Sequence, residues 1–102
     1  MAQRGQRFRR AVAGDLRLPP NRQSGPDPFK LAEQIRQFGD RAEGMPAVQV
    51  TEASKGELMI NDGVTRAFRI ARSRGDATIR VEVIEHRPRW SIEHLARVRE
   101  RL

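Results

Sequence analysis

The stretch Glu57-Leu-Met-Ile-Asn-Asp-Gly-Val-Thr-Arg-Ala-Phe-Arg-Ile-Ala-Arg-Ser-Arg-Gly75 decides the fold. It opens as a strand over Glu57–Ile60, in which Leu58 and Ile60 face one way and Glu57 and Met59 the other. Asn61-Asp62-Gly63 tolerates the backbone angles of a tight turn and breaks that alternation. From Val64 the period becomes helical, with Val64, Ala67, Phe68 and Ala71 on one side. Arg66, Arg69 and Ser73 fall opposite, toward water or a ligand. Arg72 and Arg74 suit the negative end of the helix dipole, and Gly75 ends the helix.

A strand that passes through a glycine turn into a helix start can hold an anion. The amides of Gly63 and Val64, the Thr65 hydroxyl and the Arg66 guanidinium would converge on it. Asn61 and Arg69 complete the phosphate- or nucleotide-binding set expected here. Asp62 can hold a divalent metal such as Mg²⁺, position a water, or orient Arg66. The plainer alternative is a good turn, with Asp62 capping the helix at the Thr65 amide and Arg66 solvated.

Working outward, the elements on either side are those of a small α+β domain. Asp27 as N-cap, Pro28 at the first position and Gly39 at the end mark a helix whose apolar stripe is Phe29, Leu31, Ala32, Ile35 and Phe38. A loop over 40–45 leads to a strand at Ala47–Thr51, and Glu52–Gly56 turns it into a hairpin with Glu57–Ile60. Thr78–Ile84 alternates Ile79, Val81 and Val83 with Arg80 and Glu82, the clearest strand in the chain. Ser91 caps an expected last helix carrying Ile92, Leu95, Val98 and Leu102 on one side, with Trp90 stapled against it. The expected order is helix, β-hairpin, helix, strand, helix over residues 27–102.

Residues 1–26 read instead as a flexible basic arm. Leu18-Pro-Pro-Asn-Arg-Gln-Ser-Gly-Pro-Asp27 is too rich in proline, glycine and polar residues for regular structure. Residues 1–30 hold seven Lys/Arg against two Asp, which leaves thirteen basic against eleven acidic residues in the rest of a chain of net charge +7. Arg7, Arg9 and Arg10 are the expected nucleic-acid contacts, and a solvated linker fits the same composition. Eighteen of the twenty basic residues are arginine, whose planar fork suits phosphate, although a G+C-rich coding sequence gives the same bias. Phe8 and Trp90, each among arginines, are the two aromatics placed to stack on a base.

Composition excludes whole classes of chemistry. At 102 residues there is room for one domain. Without cysteine there is no disulfide, zinc–thiolate site or thiol nucleophile, which agrees with a reducing compartment. No apolar run has the length of a membrane span, so no membrane partner is expected. For phosphodiester hydrolysis the candidate water-activating groups are Asp62, Glu57, Glu52 and His86, with Arg66 and Arg69 to stabilise developing charge.

The phrase Ile60-Asn-Asp-Gly-Val-Thr-Arg66 resembles the strand-to-helix turn of the ParB/sulfiredoxin-like superfamily, in which an arginine follows the glycine by three residues. Glu43–Val50 is similar to that family's first strand and Thr78–Ile84 to its later Val-rich strand, so the resemblance covers roughly residues 28–85. It lies nearest the ParB-like domains at the carboxyl ends of bacterial RHS-type polymorphic toxins, which share "DGVTRA". It implies a nuclease or toxin-type domain acting on nucleic acid or nucleotide in the cytoplasm. It further implies delivery as part of a larger exported protein and an acidic immunity-type partner. The alternatives are a non-catalytic nucleotide- or phosphate-binding module and a protein-interaction domain. Val64 stands where sulfiredoxins carry their cysteine, which excludes that activity. Val64 and Thr65 also replace the histidine or charged residues that many members place before the arginine.

Overall fold

A computed structural model describes residues 7–102 of the chain. Their architecture is α+β: two α-helices and a four-stranded mixed sheet. The elements are β1 (Phe8–Val12), α1 (Pro28–Phe38), β2 (Val48–Glu52), β3 (Leu58–Asp62), α2 (Val64–Ala71) and β4 (Thr78–His86). The sheet order is β1-β4-β2-β3. β1 runs antiparallel to β4 and β3 antiparallel to β2, while β2 and β4 are parallel. That parallel pair requires a crossover, and α2 supplies it.

The hairpin forms as the alternation predicts, with Val50 opposite Ile60 and Glu52 opposite Leu58. Val48, Val50, Ile60, Ile79 and Val81 are fully buried on the sheet's helix-facing side, against Ala67, Phe68, Ile70 and Ala71 of α2. α1 begins and ends where its capping residues place it. Asp27 accepts from the Phe29 amide at 2.8 Å, and Gly39 closes the helix at φ +62°. Only part of its expected apolar stripe faces inward, however. Phe29 is 85% exposed and Phe38 44%, and it is Leu31 that packs on the core.

The flexible arm is the first correction. Its first six residues lie outside the described ones, but from Phe8 onward it is part of the fold. β1 pairs with β4 along Phe8–Val12, and Ala13, Leu16 and Leu18 are within 1% of complete burial. Arg17 then runs along the free edge of β3, donating its amide to the Leu58 carbonyl at 2.8 Å and accepting from the Ile60 amide at 2.9 Å. An uncovered edge strand invites pairing with another chain. Here Arg17, just before the proline-rich segment, pairs with that edge from within the chain.

The last helix is the second correction. Ile92–Leu102 contains only a 3₁₀ turn at Val98–Arg101. Its apolar residues serve two different clusters: Ile92 and Leu95 join Ala53 and Met59, while Val98 enters the main core. A single helix stripe cannot face both. Pairing of this segment with the chain near Leu16 and Leu18 also claims its backbone: the Leu18 amide donates to the Ala96 carbonyl, and Val98 to Leu16. Tertiary pairing therefore overrides the local helical period. Trp90 does not staple a helix; it is 36% exposed beneath the Arg87 guanidinium, 4.8 Å from its ring centre.

Candidate anion-binding site

β3 extends through Asn61 and Asp62, so the turn into α2 is made by Gly63 alone, at φ +116°. That angle is left-handed and favours glycine. A Cβ there would also lie 2.9 Å from Arg66 Nη2 and 3.0 Å from Val48 Cγ2. The guanidinium therefore sits directly against the Gly63 backbone. No side chain caps α2, and its first intrahelical bond is donated by Ala67 to the Gly63 carbonyl. The amides of the first turn have no acceptor inside the helix.

Arg66 is the organising side chain. It is 19% exposed, and its Nη2 lies 3.4 Å from both the Ala47 carbonyl and Asp62 Oδ2. Its Nε is buried without a hydrogen-bond partner. At those distances both contacts are weak. Donor capacity is therefore left over on a cation that is only 19% exposed. Asp62 is 71% exposed and directs most of its surface to solvent.

The turn forms one wall of a cleft of about 410 Å³. The opposite wall comes from the segment read as arm: Pro19, Asn21, Arg22 and Pro26, continued by Lys30 and Gln34 of α1. Asn61, Asp62, Gly63, Val64, Thr65 and Arg66 all line it. Asn61 is also tied to the sheet, accepting from the Thr51 hydroxyl at 2.8 Å. Three cations, Arg22, Lys30 and Arg66, thus face one carboxylate, Asp62. The volume lies within the usual range for small-ligand sites, about 300–1,000 Å³.

Arg22 and Lys30 escape the sequence reading. For Arg22 there was no signal, since nothing in a Pro/Gly-rich stretch says which surface it meets. For Lys30 there was one. It stands in the first turn of α1, where the helix dipole disfavours a cation and the acidic residue at that end, Asp27, is spent on the Phe29 amide.

Arg69 does not belong to the site. It is 3% exposed and donates to the Arg41 carbonyl at 2.6 Å and the Gly39 carbonyl at 3.2 Å, with Phe38 5.3 Å from its guanidinium carbon. Burial lowers its pKa, and the neighbouring Arg41 and Arg66 charges add to that. It clamps the loop after α1 onto α2. Helical spacing placed it opposite the apolar stripe, but the carbonyls at the end of α1 close over it.

The remaining candidates are scattered. Glu57 precedes β3 at the far end from Asp62. It faces Arg17 at 3.8 Å in a separate cleft lined by Lys55 and Arg97. His86 ends β4, 70% exposed, with Nδ1 2.8 Å from Glu52 Oε1. Neither lines the Asp62 cleft. Arg7 pairs with Glu82 at 2.8 Å, Arg9 with Glu52 at 3.1 Å, and Arg10 donates to Thr78. These arginines are members of the sheet rather than a free contact arm. Among the described residues no three or more His, Cys, Asp or Glu side chains converge as metal ligands. Asp62 offers a divalent ion a single carboxylate, already engaged with Arg66. No helix among these residues is long and apolar enough to cross a membrane. Comparison with protein-family models, curated proteins and solved structures gives no match.

Proposed function

We propose that the Gly63–Arg66 turn binds the phosphate of a nucleotide-sized ligand, and that the domain works as a nucleotide- or phosphate-binding module of ParB-like type. The observation that supports this most is the convergence of Arg22, Lys30 and Arg66 on one cleft beside an uncapped helix start. Arg66 supplies a guanidinium fork, the α2 amides supply donors, and Arg22 and Lys30 close on the ligand from the other wall. The resemblance carried by Ile60–Arg66 points the same way. Cleavage needs a group that activates water, and the cleft offers one exposed carboxylate. Glu57 and His86 stand elsewhere. Binding is therefore the reading the geometry favours over hydrolysis.

A thermal-shift panel of inorganic phosphate, pyrophosphate and nucleoside triphosphates, each with and without Mg²⁺, tests it. At a hundredfold excess over Kd a ligand stabilises by about 2.7 kcal/mol. For a domain of this size that amounts to a rise of roughly 10–20 °C. Arg66→Ala should remove the shift. Because Arg66 is packed, the exposed pair Arg22→Ala/Lys30→Ala serves as the second variant and should reduce affinity at least tenfold without altering the ligand-free melting temperature. Equal shifts in all three proteins would contradict the reading.

A further inference from the structure

The cleft leaves unexplained the face of the sheet turned away from the helices. On β4, Ile79, Val81 and Val83 are buried toward α2, so Thr78, Arg80 and Glu82 stand on the opposite side. β1 adds Phe8 opposite Glu82 and Arg10 opposite Arg80. β2 adds Gln49, which donates to Glu82 at 3.3 Å. The packing of Ile92 and Leu95 on Met59 covers the other end of this face and leaves the β1–β4 end open.

Two features of that open end run against what sheet stability alone would select. Arg10 and Arg80 are direct cross-strand partners, and like charges so placed destabilise a ladder. Neither cation is neutralised locally. Arg10 donates to the Thr78 hydroxyl and carbonyl, and the Arg80 guanidinium lies 4.1 Å from the Phe8 ring centre. Glu82, the carboxylate beside Arg80 on this face of β4, is already engaged by Arg7 at 2.8 Å. Phe8 is 39% exposed on this charged surface, where burial does not account for it.

We propose that this open face binds single-stranded nucleic acid. Arg10 reaches toward Thr78 and Arg80 toward Phe8, so phosphates of one strand set against each in turn neutralise both cations, each guanidinium having a planar fork matched to phosphate oxygens. The Phe8–Arg80 stack is a flat platform on which a base extends the same stack. Bases paired within a duplex cannot reach it, which selects the single strand. The inference does not rest on the cleft, because no residue it uses lines that cavity.

Fluorescence anisotropy of a labelled twelve-residue oligothymidylate at 50 mM salt tests it, with the hairpin duplex of equal length and inorganic polyphosphate as competitors. Saturable binding is expected. Arg10→Glu/Arg80→Glu should weaken it at least thirtyfold, and neutralising two phosphate contacts fewer should flatten the log–log salt slope by about 1.4. Phe8→Ala should cost on the order of tenfold, the effect of one lost stacked base. The charge-retaining Arg10→Lys/Arg80→Lys protein should keep most of the affinity, and Arg66→Ala all of it. Absent binding, equal affinity for the duplex or polyphosphate, or binding indifferent to Arg10→Glu/Arg80→Glu in a folded protein would each overturn the proposal. Loss of binding in Arg66→Ala alone would assign the strand to the cleft instead.

Discussion

A chain lacking residues 1–26 is expected to have no cooperative unfolding transition and a poorly dispersed amide NMR spectrum. The deletion removes β1 together with Ala13, Leu16 and Leu18, all within 1% of full burial. Truncating one such leucine typically costs about 2–5 kcal/mol. Two leucines and an edge strand together approach the whole stability of a small domain, about 5–15 kcal/mol. The deletion also exposes the edge of β3 that Arg17 now pairs with, so the product should aggregate. Far-UV circular dichroism through a thermal ramp, with a ¹⁵N-resolved spectrum, reads both effects. A truncated protein that melts cooperatively near the full chain's midpoint would show that these residues are an appendage after all.

The second large effect is expected at Arg69. Arg69→Ala removes a 3% exposed cation and leaves the Arg41 and Gly39 carbonyls without their donor. Gly39 and Arg41 are exposed, so water can take over their carbonyls, and the main cost is the cavity left by the buried side chain, about 2–5 kcal/mol for a large-to-alanine change. A loss of about 3 kcal/mol should lower the melting temperature by roughly 12–24 °C. Arg69→Lys keeps the charge but not the fork that reaches both carbonyls, and should fall between. Chemical denaturation compares the three proteins directly. A change under about 1 kcal/mol for Arg69→Ala would mean that the clamp contributes little and that the arginine is free to serve a ligand.

Local chemistry that acts within a few residues was legible in the sequence. The helix capped by Asp27 and closed by Gly39, the Val48–Ile60 hairpin, the glycine turn into α2 and the alternating β4 strand all form where their residues place them. The misreadings share one cause, long-range pairing. The Arg7–Leu18 segment has no apolar period of its own, because it is an edge strand followed by an irregular stretch whose two leucines are measured against distant partners. Ile92, Leu95 and Val98 keep helical spacing while an extended chain delivers them to separate clusters. Arg69 shares its helix face with Arg66, yet one is buried by the loop after α1 and the other opens on a cleft. Spacing alone cannot separate them.

The cleft was half legible for the same reason. Asn61 to Arg66 is contiguous and carries its turn chemistry in order. Its opposite wall, with Arg22 and Lys30, is brought there only by the path of the chain between β1 and α1. The site depends on residues that look least structured in the sequence, which ties the expected unfolding of the truncated chain to the proposed binding.

The most direct measurement is a titration of the ¹⁵N-labelled full chain with pyrophosphate, followed through its amide resonances. Saturable shifts confined to Gly63, Val64, Thr65 and Arg66 on one wall and to Asn21, Arg22 and Lys30 on the other are the predicted result. Shifts that do not saturate, that scatter over the arginines of the surface, or that leave the Gly63–Arg66 amides unmoved would contradict an anion site at this turn.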